Sequence, residues 1–260
     1  MKFAALIGTP VVQSVGQDIY NKIFRLYGIN SSYFSIDLHR QNLKGFFEFA
    51  REEMVGFNIT APYKETAAQL VDIKDRTASA TGSVNLVKSM NGKLTGYNTD
   101  YDGFLFLLKN NRIDLRGKRI IIMGSGGAAR TVAYTIKTNY NADIQIASRT
   151  PGKDIIAGIK SQGYNDIGKY NIIINCTPLG MHPDNRMAIS GNMILPGITG
   201  IDIIYNPLET AFLKAVKLRE GTAINGSDMF IGQGIETLKK LYGLSVPYDE
   251  FMTIFYENIK

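Results

Sequence analysis

Two short stretches in the first half of the chain carry the side chains that proton transfer needs. Residues 56–64 read GFNITAPYK, a short apolar run that ends in Asn58, Thr60, Pro62 and Lys64; residues 96–100 read GYNTD and end in Asn98 and Asp100. A lysine held beside a carboxylate, its pKa set by partial desolvation against the neighbouring charge, can give and take a proton. The same pairing is common as a surface ion pair, and spacing alone does not bring Lys64 to Asp100.

A second chemistry is written further along. The apolar run RIIIM is followed by GSGGAAR, which places Gly124, Gly126 and Ala129 at the three small positions of a dinucleotide fingerprint, with Gly127 and Ala128 between the last two. A strand before such a loop and a helix after it let the backbone approach a pyrophosphate, whose charge rests on the helix N-terminus. A glycine-rich turn that binds nothing has the same look in isolation. The next strand, DIQIASRT, ends in Ser148, Arg149 and Thr150, and Lys153 follows closely. Strands that meet NAD commonly end here in an acid that holds the ribose hydroxyls. No acid is present to repel a phosphate, and two cations are present to attract one, so the expected cofactor is NADP. Solvated surface charge is the competing account of Arg149 and Lys153.

Elements to position these groups are legible as apolar runs at Phe3 to Ile7, Tyr33 to Ile36, Phe57 to Ile59, Ile120 to Met123, Ile144 to Ala147, Ile172 to Ile174 and Ile201 to Ile204. Continuous apolarity marks strands covered on both faces. Helical periodicity lies between them, at Asp18 to Tyr27 and Gly127 to Tyr140, and again over the last thirty or so residues. Strand alternating with helix predicts an α/β fold with parallel sheets. The best boundary is the polar YNTDYDG stretch ahead of the apolar segment Phe104 to Leu108.

The 260 residues are 45% hydrophobic, enough for at least one substantial core. No apolar run approaches the length of a membrane span and no signal-peptide pattern opens the chain, so a cytoplasmic protein with no membrane role is expected. Lys and Arg number 29 against 23 Asp and Glu, but they are scattered, which favours small anionic ligands over nucleic acid. Cys176 is the single cysteine; with His39 and His182 it makes no metal-ligand spacing, so no metal is expected. Cys176 reads as packing after a strand, His182 as a loop residue, and His39 has no assigned role. No interface stripe stands out, which leaves monomer and homodimer open.

Seven ordered blocks together resemble the shikimate dehydrogenase family over nearly the whole length: GFNITAPYK, TGSVN at 81–85, GYNTD, GSGGAAR with SRT, NCTPLGM at 175–181, DIIYNPLET at 202–210 and NGSDMFIGQ at 225–233. The resemblance implies an N-terminal α/β substrate domain over 1–101, a Rossmann-like NADP-binding domain over 102–227, and C-terminal helices over 228–260 that return to the substrate domain. It implies Lys64 as general acid and base with Asp100 as its hydrogen-bonded partner. Thr60 and Asn85 would hold ring hydroxyls or carboxylate, and Tyr205 and Gln233 would complete the substrate site. Gly226 and Met229 would lie near the nicotinamide, with Ile203 also on the cofactor. The implied reaction is reversible reduction of 3-dehydroshikimate to shikimate by NADPH, a step toward chorismate and the aromatic amino acids.

The chain departs from that family at its N-terminus. Where relatives show H-S-x-S-P, whose two serines hold the substrate carboxylate, the aligned residues are Gln13, Ser14, Val15, Gly16 and Gln17. One hydrogen bond to a charged group is worth roughly 1.5–3 kcal/mol, or about ten- to a hundredfold in affinity. An amide of Gln13 or Gln17, or a water beside Gly16, would replace it. Leu86 stands where relatives often have threonine. Neighbouring alternatives are a quinate/shikimate or aminoshikimate dehydrogenase, and, from another class, a non-catalytic NADP-binding homologue.

Overall fold

The apolar runs become strands, and their lengths are set by what covers them. The computed structural model describes residues 3–11, 14–156, 158–166 and 170–259. The chain divides into one unit of Met1–Thr99 with Gln233–Lys260 and a second of Asp100–Gly232.

The first unit begins β1 (Phe3–Gly8), α1 (Gly16–Leu26), β2 (Tyr33–Asp37), α2 (Leu43–Glu53), β3 (Met54–Ile59), α3 (Lys64–Leu70), β4 (Ile73–Lys74), α4 (Arg76–Thr81), β5 (Leu86–Met90) and β6 (Lys93–Tyr97). Its sheet has the order β2-β1-β3-β5-β6-β4. Strand β1 pairs in parallel with β2 and β3, whereas β5 runs antiparallel to both β3 and β6. The expected all-parallel sheet is therefore mixed here. The β5–β6 pair is made by the Asn91–Gly92 turn, in which both residues have positive φ (53° and 69°). That is the conformation of a two-residue hairpin, which reverses the chain without a crossover helix. The Phe57 ring meets those of Phe46 and Phe47 edge-on, each at 5.0 Å, in a core completed by Ile7, Met54 and Ile59.

The second unit contains α5 (Asp100–Asn110), β7 (Arg119–Met123), α6 (Gly127–Asn139), β8 (Asp143–Ala147), β9 (Asp154–Ile156), β10 (Ile159–Gln162), β11 (Ile172–Asn175), β12 (Thr199–Asp202), α7 (Ala211–Leu218) and β13 (Thr222–Ile224). The strand order is β13-β12-β11-β7-β8-β10-β9, parallel throughout except for β9. Successive residues of β7 enter opposite cores, Ile120 and Ile122 beneath α5 and α6, Ile121 and Met123 beneath α7. Burial on both faces is why the run is continuously apolar. Between β8 and β10 the alternation of strand and helix fails. A hairpin stands there instead, and Ile155 and Ile156 of β9 supply the apolar cover.

Helices α8 (Ser227–Tyr242) and α9 (Tyr248–Asn258) close the chain. Where the sequence places borders after residues 101 and 227, the division falls after Thr99 and Gly232. Helix α5 starts at Asp100 and sends Phe104, Leu107 and Leu108 into the second core, so it belongs there whole. Helix α8 is divided along its length: a Cβ on Gly232 would lie 2.8 Å from Phe106, and one on Gly234 2.5 Å from the Phe251 ring. In the first unit the Tyr242 ring lies 4.9 Å from Phe24 and Phe251 lies 6.4 Å from Tyr20, which secures α8 and α9 to α1.

At the end of β12, Asp202 is fully buried and accepts from Thr210 Oγ1 (2.7 Å), Asn175 Nδ2 (3.1 Å) and the Ile204 N–H (3.1 Å). Burial pushes its pKa up to about 6 against the opposing pull of those three donors. A carboxyl whose folded pKa exceeds its unfolded value binds its proton more tightly when folded, so its contribution to stability falls as pH rises from about 4 to about 6. We expect the stability of the protein relative to Asp202→Asn, from urea unfolding, to decline by about 3 kcal/mol across that window; a difference that does not change with pH would contradict this reading.

Candidate active site

In the first unit, the β3–β5 pairing brings Lys64 and Asn85 together. Thr60 leaves β3 with its N–H donating to Ile7 O (2.9 Å), the Tyr63 N–H returns to Thr60 O (3.1 Å), and Lys64 opens α3. The Tyr63 hydroxyl anchors this corner by donating to Leu38 O (2.6 Å). The Lys64 carbonyl accepts from the Val84 N–H at 3.0 Å. The next residue, Asn85, is 3% exposed; its Oδ1 accepts from the Thr99 N–H (2.7 Å) and its Nδ2 donates to Thr99 Oγ1 (3.0 Å). Val84 and Asn85 thus grip the chain at Lys64 and at the residue before Asp100. Asp100 opens α5 and is itself buried.

Neighbouring polar groups serve as framework. Asn58 accepts from the Tyr33 hydroxyl (2.8 Å) and donates to Thr237 Oγ1 (3.1 Å), and Asn98 donates to Thr81 Oγ1 (2.9 Å). Leu86 is fully buried in β5, so a side chain that departs from the family's usual threonine fills core. Gln233 lies half-buried on α8.

Ser14 accepts from the Gly16 N–H at 3.3 Å. A Cβ at position 16 would lie 3.2 Å from Ser14 Oγ and 3.8 Å from the Tyr20 ring, so a serine there meets only mild crowding and the glycine leaves a notch beside the retained hydroxyl. Gln17 has its amide oxygen engaged elsewhere, accepting from the Ser35 N–H of β2 at 2.8 Å. Gln13 lies outside the described residues.

In the second unit, the loop from β7 to α6 has the form of an anion cradle. Gly124 has φ +115°, and a Cβ there would lie 3.0 Å from Cys176 O, so a side chain is both strained and obstructed. Gly126 caps α6, and a Cβ on it would meet nothing within 4 Å, which leaves the backbone open to approach. Gly127 and Ala128 begin the helix, and Ala129 is fully buried against the sheet. No side chain caps this helix and no acid lies in its first turn. The open N–H groups and the helix dipole suit a pyrophosphate, so the loop fits NADP.

The strand-end cations lie at the next turn. Ser148 is buried, donates from Oγ to Thr150 O (2.9 Å) and accepts the Thr150 N–H (3.3 Å), while Arg149, Thr150 and Lys153 are exposed. Ile203 and Gly226 meet at the end of β12: the Ile203 N–H donates to Asn175 O (3.1 Å), and a Cβ on Gly226 would fall 2.1 Å from Ile203 O. Met229 is buried in the core with Phe104 and Ile224. The Tyr205 ring packs 4.5 Å from that of Phe230. Val84 and Thr99 do not stand out in the sequence, although both sit inside quoted blocks. Backbone contacts leave no side-chain signature, and Thr99 looks like any small loop residue.

Among the described residues, no cluster of acids, histidines and cysteine could hold a metal ion, and no helix is long and apolar enough to cross a membrane. A family model described as the shikimate dehydrogenase substrate binding domain matches residues 6–87. The chain is 37% identical over 249 residues to shikimate dehydrogenase (NADP(+)) of Thermoplasma acidophilum, covering 92% of this chain and 90% of that one. It is 34% identical over 262 residues to the protein of the same description from Carboxydothermus hydrogenoformans, covering 95% and 93%. The crystal structure of shikimate 5-dehydrogenase from Thermus thermophilus in complex with NADP(H) and shikimate superposes with a TM-score of 0.89 at 25% identity, covering 100% of both chains. With a matching fold, a phosphate cradle and full-length similarity in agreement, the chain belongs to the shikimate dehydrogenase family.

Proposed function

We propose that this protein is an NADP-dependent shikimate dehydrogenase that interconverts 3-dehydroshikimate and shikimate in aromatic amino-acid biosynthesis. The observation that carries this reading is the double grip of Val84 and Asn85, which fixes the backbone of Lys64 and of the residue preceding Asp100. Lys64 is the proton donor to the oxygen that becomes the ring hydroxyl, and the proton acceptor in reverse. Asp100 is the carboxylate assigned to assist it. NADPH supplies the hydride when bound. Gly124, Gly126, Gly127 and Ala128 hold its pyrophosphate, with Ser148, Arg149, Thr150 and Lys153 at the adenosine phosphate and Ile203, Gly226 and Met229 at the nicotinamide end. Ser14, Thr60, Asn85, Tyr205 and Gln233 orient the ring substrate so that little reorganisation is left for the chemical step.

Three measurements test the assignment. Lys64→Ala should lower kcat by about a hundred- to ten-thousandfold while the dissociation constant for NADPH stays unchanged; turnover at the parent rate would remove Lys64 from the mechanism. Gly16→Ser, accommodated beside Ser14, should lower the KM for shikimate by about tenfold and leave that for NADP unaltered. Quinate and aminoshikimate, assayed alongside with NADP and with NAD, should both give lower kcat/KM than shikimate with NADP. Higher efficiency with either would transfer the substrate assignment to it.

A further inference from the structure

The turn that carries the two cations is braced from β10, the strand that lies beside β8. Strand β10 pairs with β8 at Ser161 opposite Ile146 and Gln162 opposite Ala147, and the loop between the two strands folds back onto it. Ser161 meets that loop through three of its atoms. Its N–H donates to Lys153 O (2.9 Å), its carbonyl accepts from the Gly152 N–H (2.6 Å), and its hydroxyl donates to Thr150 O (2.9 Å) with Lys153 O at 3.4 Å. Thr150 O therefore takes two hydroxyls, one from Ser148 and one from Ser161. The Ser148 N–H donates to Gln162 O at 2.9 Å and closes the ring of contacts. Ser161 is only 4% exposed, so it acts on a ligand through the loop and not by touch.

Arg149 is flanked by Ser148, held at its N–H and hydroxyl, and by Thr150, held at its N–H and carbonyl, while Lys153 is held at its own carbonyl. Two long, exposed side chains discriminate a phosphate only if their shared backbone has one geometry, because each otherwise loses conformational freedom on binding. We propose that Ser161 is a positioning residue that sets Arg149 and Lys153 for the 2′-phosphate and thereby governs the preference for NADP over NAD. The inference rests on the reading that those two cations meet the 2′-phosphate.

Steady-state kinetics of the intact enzyme test it. Ser161→Ala deletes the hydroxyl and keeps both backbone bonds, so the KM for NADPH should rise about two- to tenfold. The KM for 3-dehydroshikimate, kcat at saturation and kcat/KM with NADH should not move. In the Arg149→Ala/Lys153→Ala background the same substitution should have no further effect on the NADPH to NADH ratio. Equal losses with NADPH and NADH would overturn the proposal and reduce Ser161 to framework. Should Ser161→Ala fail to fold, Gly152→Ala acts on the same turn: its φ is +83° and a Cβ there meets open space, so strain is added without a clash. It must give the same NADPH-specific loss, and an unchanged cofactor preference would overturn the proposal. If the background substitutions themselves leave the NADPH to NADH ratio intact, the 2′-phosphate reading fails first and the inference falls with it, which separates the two failures.

Discussion

Both ends of the Asn85 amide face Thr99 in a site closed to water, and the proposed catalytic arrangement depends on that contact. An amide in bulk water exchanges such bonds at almost no net cost. Buried, it loses about 1–3 kcal/mol if its partner is removed. Directly after the Thr99 N–H has donated to Asn85, the chain turns into α5 with Asp100 as the first residue. One residue before Asn85, the Val84 N–H holds the Lys64 carbonyl. A strand end in the middle of a sheet thus fixes the backbone at two elements far apart in sequence.

Such a contact needs a rigid base, and the mixed sheet provides one. Strand β5 pairs on both sides, with β3 through Asn58 and Leu86 and with β6 through Leu86 and Tyr97. The tight Asn91–Gly92 hairpin sets the β5–β6 register, in which Leu86 lies opposite Tyr97 and Ser89 opposite Leu94. In the second unit the glycines do the corresponding work by absence. Gly124 and Gly226 allow backbone to pass within side-chain distance of Cys176 and Ile203.

Much of this is legible in the sequence, and for physical reasons. Strands covered on both faces must be apolar at every position, so RIIIM, IIIN and their relatives declare themselves as β7 and β11. The phosphate loop declares itself because only small residues fit it. The β5–β6 hairpin escapes the apolar-run pattern although SMNGKL carries an Asn-Gly turn between strands, since VNLVKSM mixes apolar and polar residues on a half-covered surface. The hairpin β9–β10 leaves weaker traces still: three- and four-residue strands have too little periodicity to be distinguished from loop. That the Gln17 amide oxygen accepts from the Ser35 N–H is visible only in the fold. The division of α8 is invisible because a helix that changes neighbours keeps the same period throughout.

The most direct test of the central claim is a double-mutant cycle on kcat/KM between Thr99→Val and Asp100→Asn. Thr99 is fully buried, so its substitution reaches the reaction through Asn85 and the backbone that Asn85 holds. If the Asn85–Thr99 contact places Asp100, the loss caused by Asp100→Asn should be markedly smaller once Thr99 is valine, a coupling of at least about 1 kcal/mol. Losses that simply add would contradict the account.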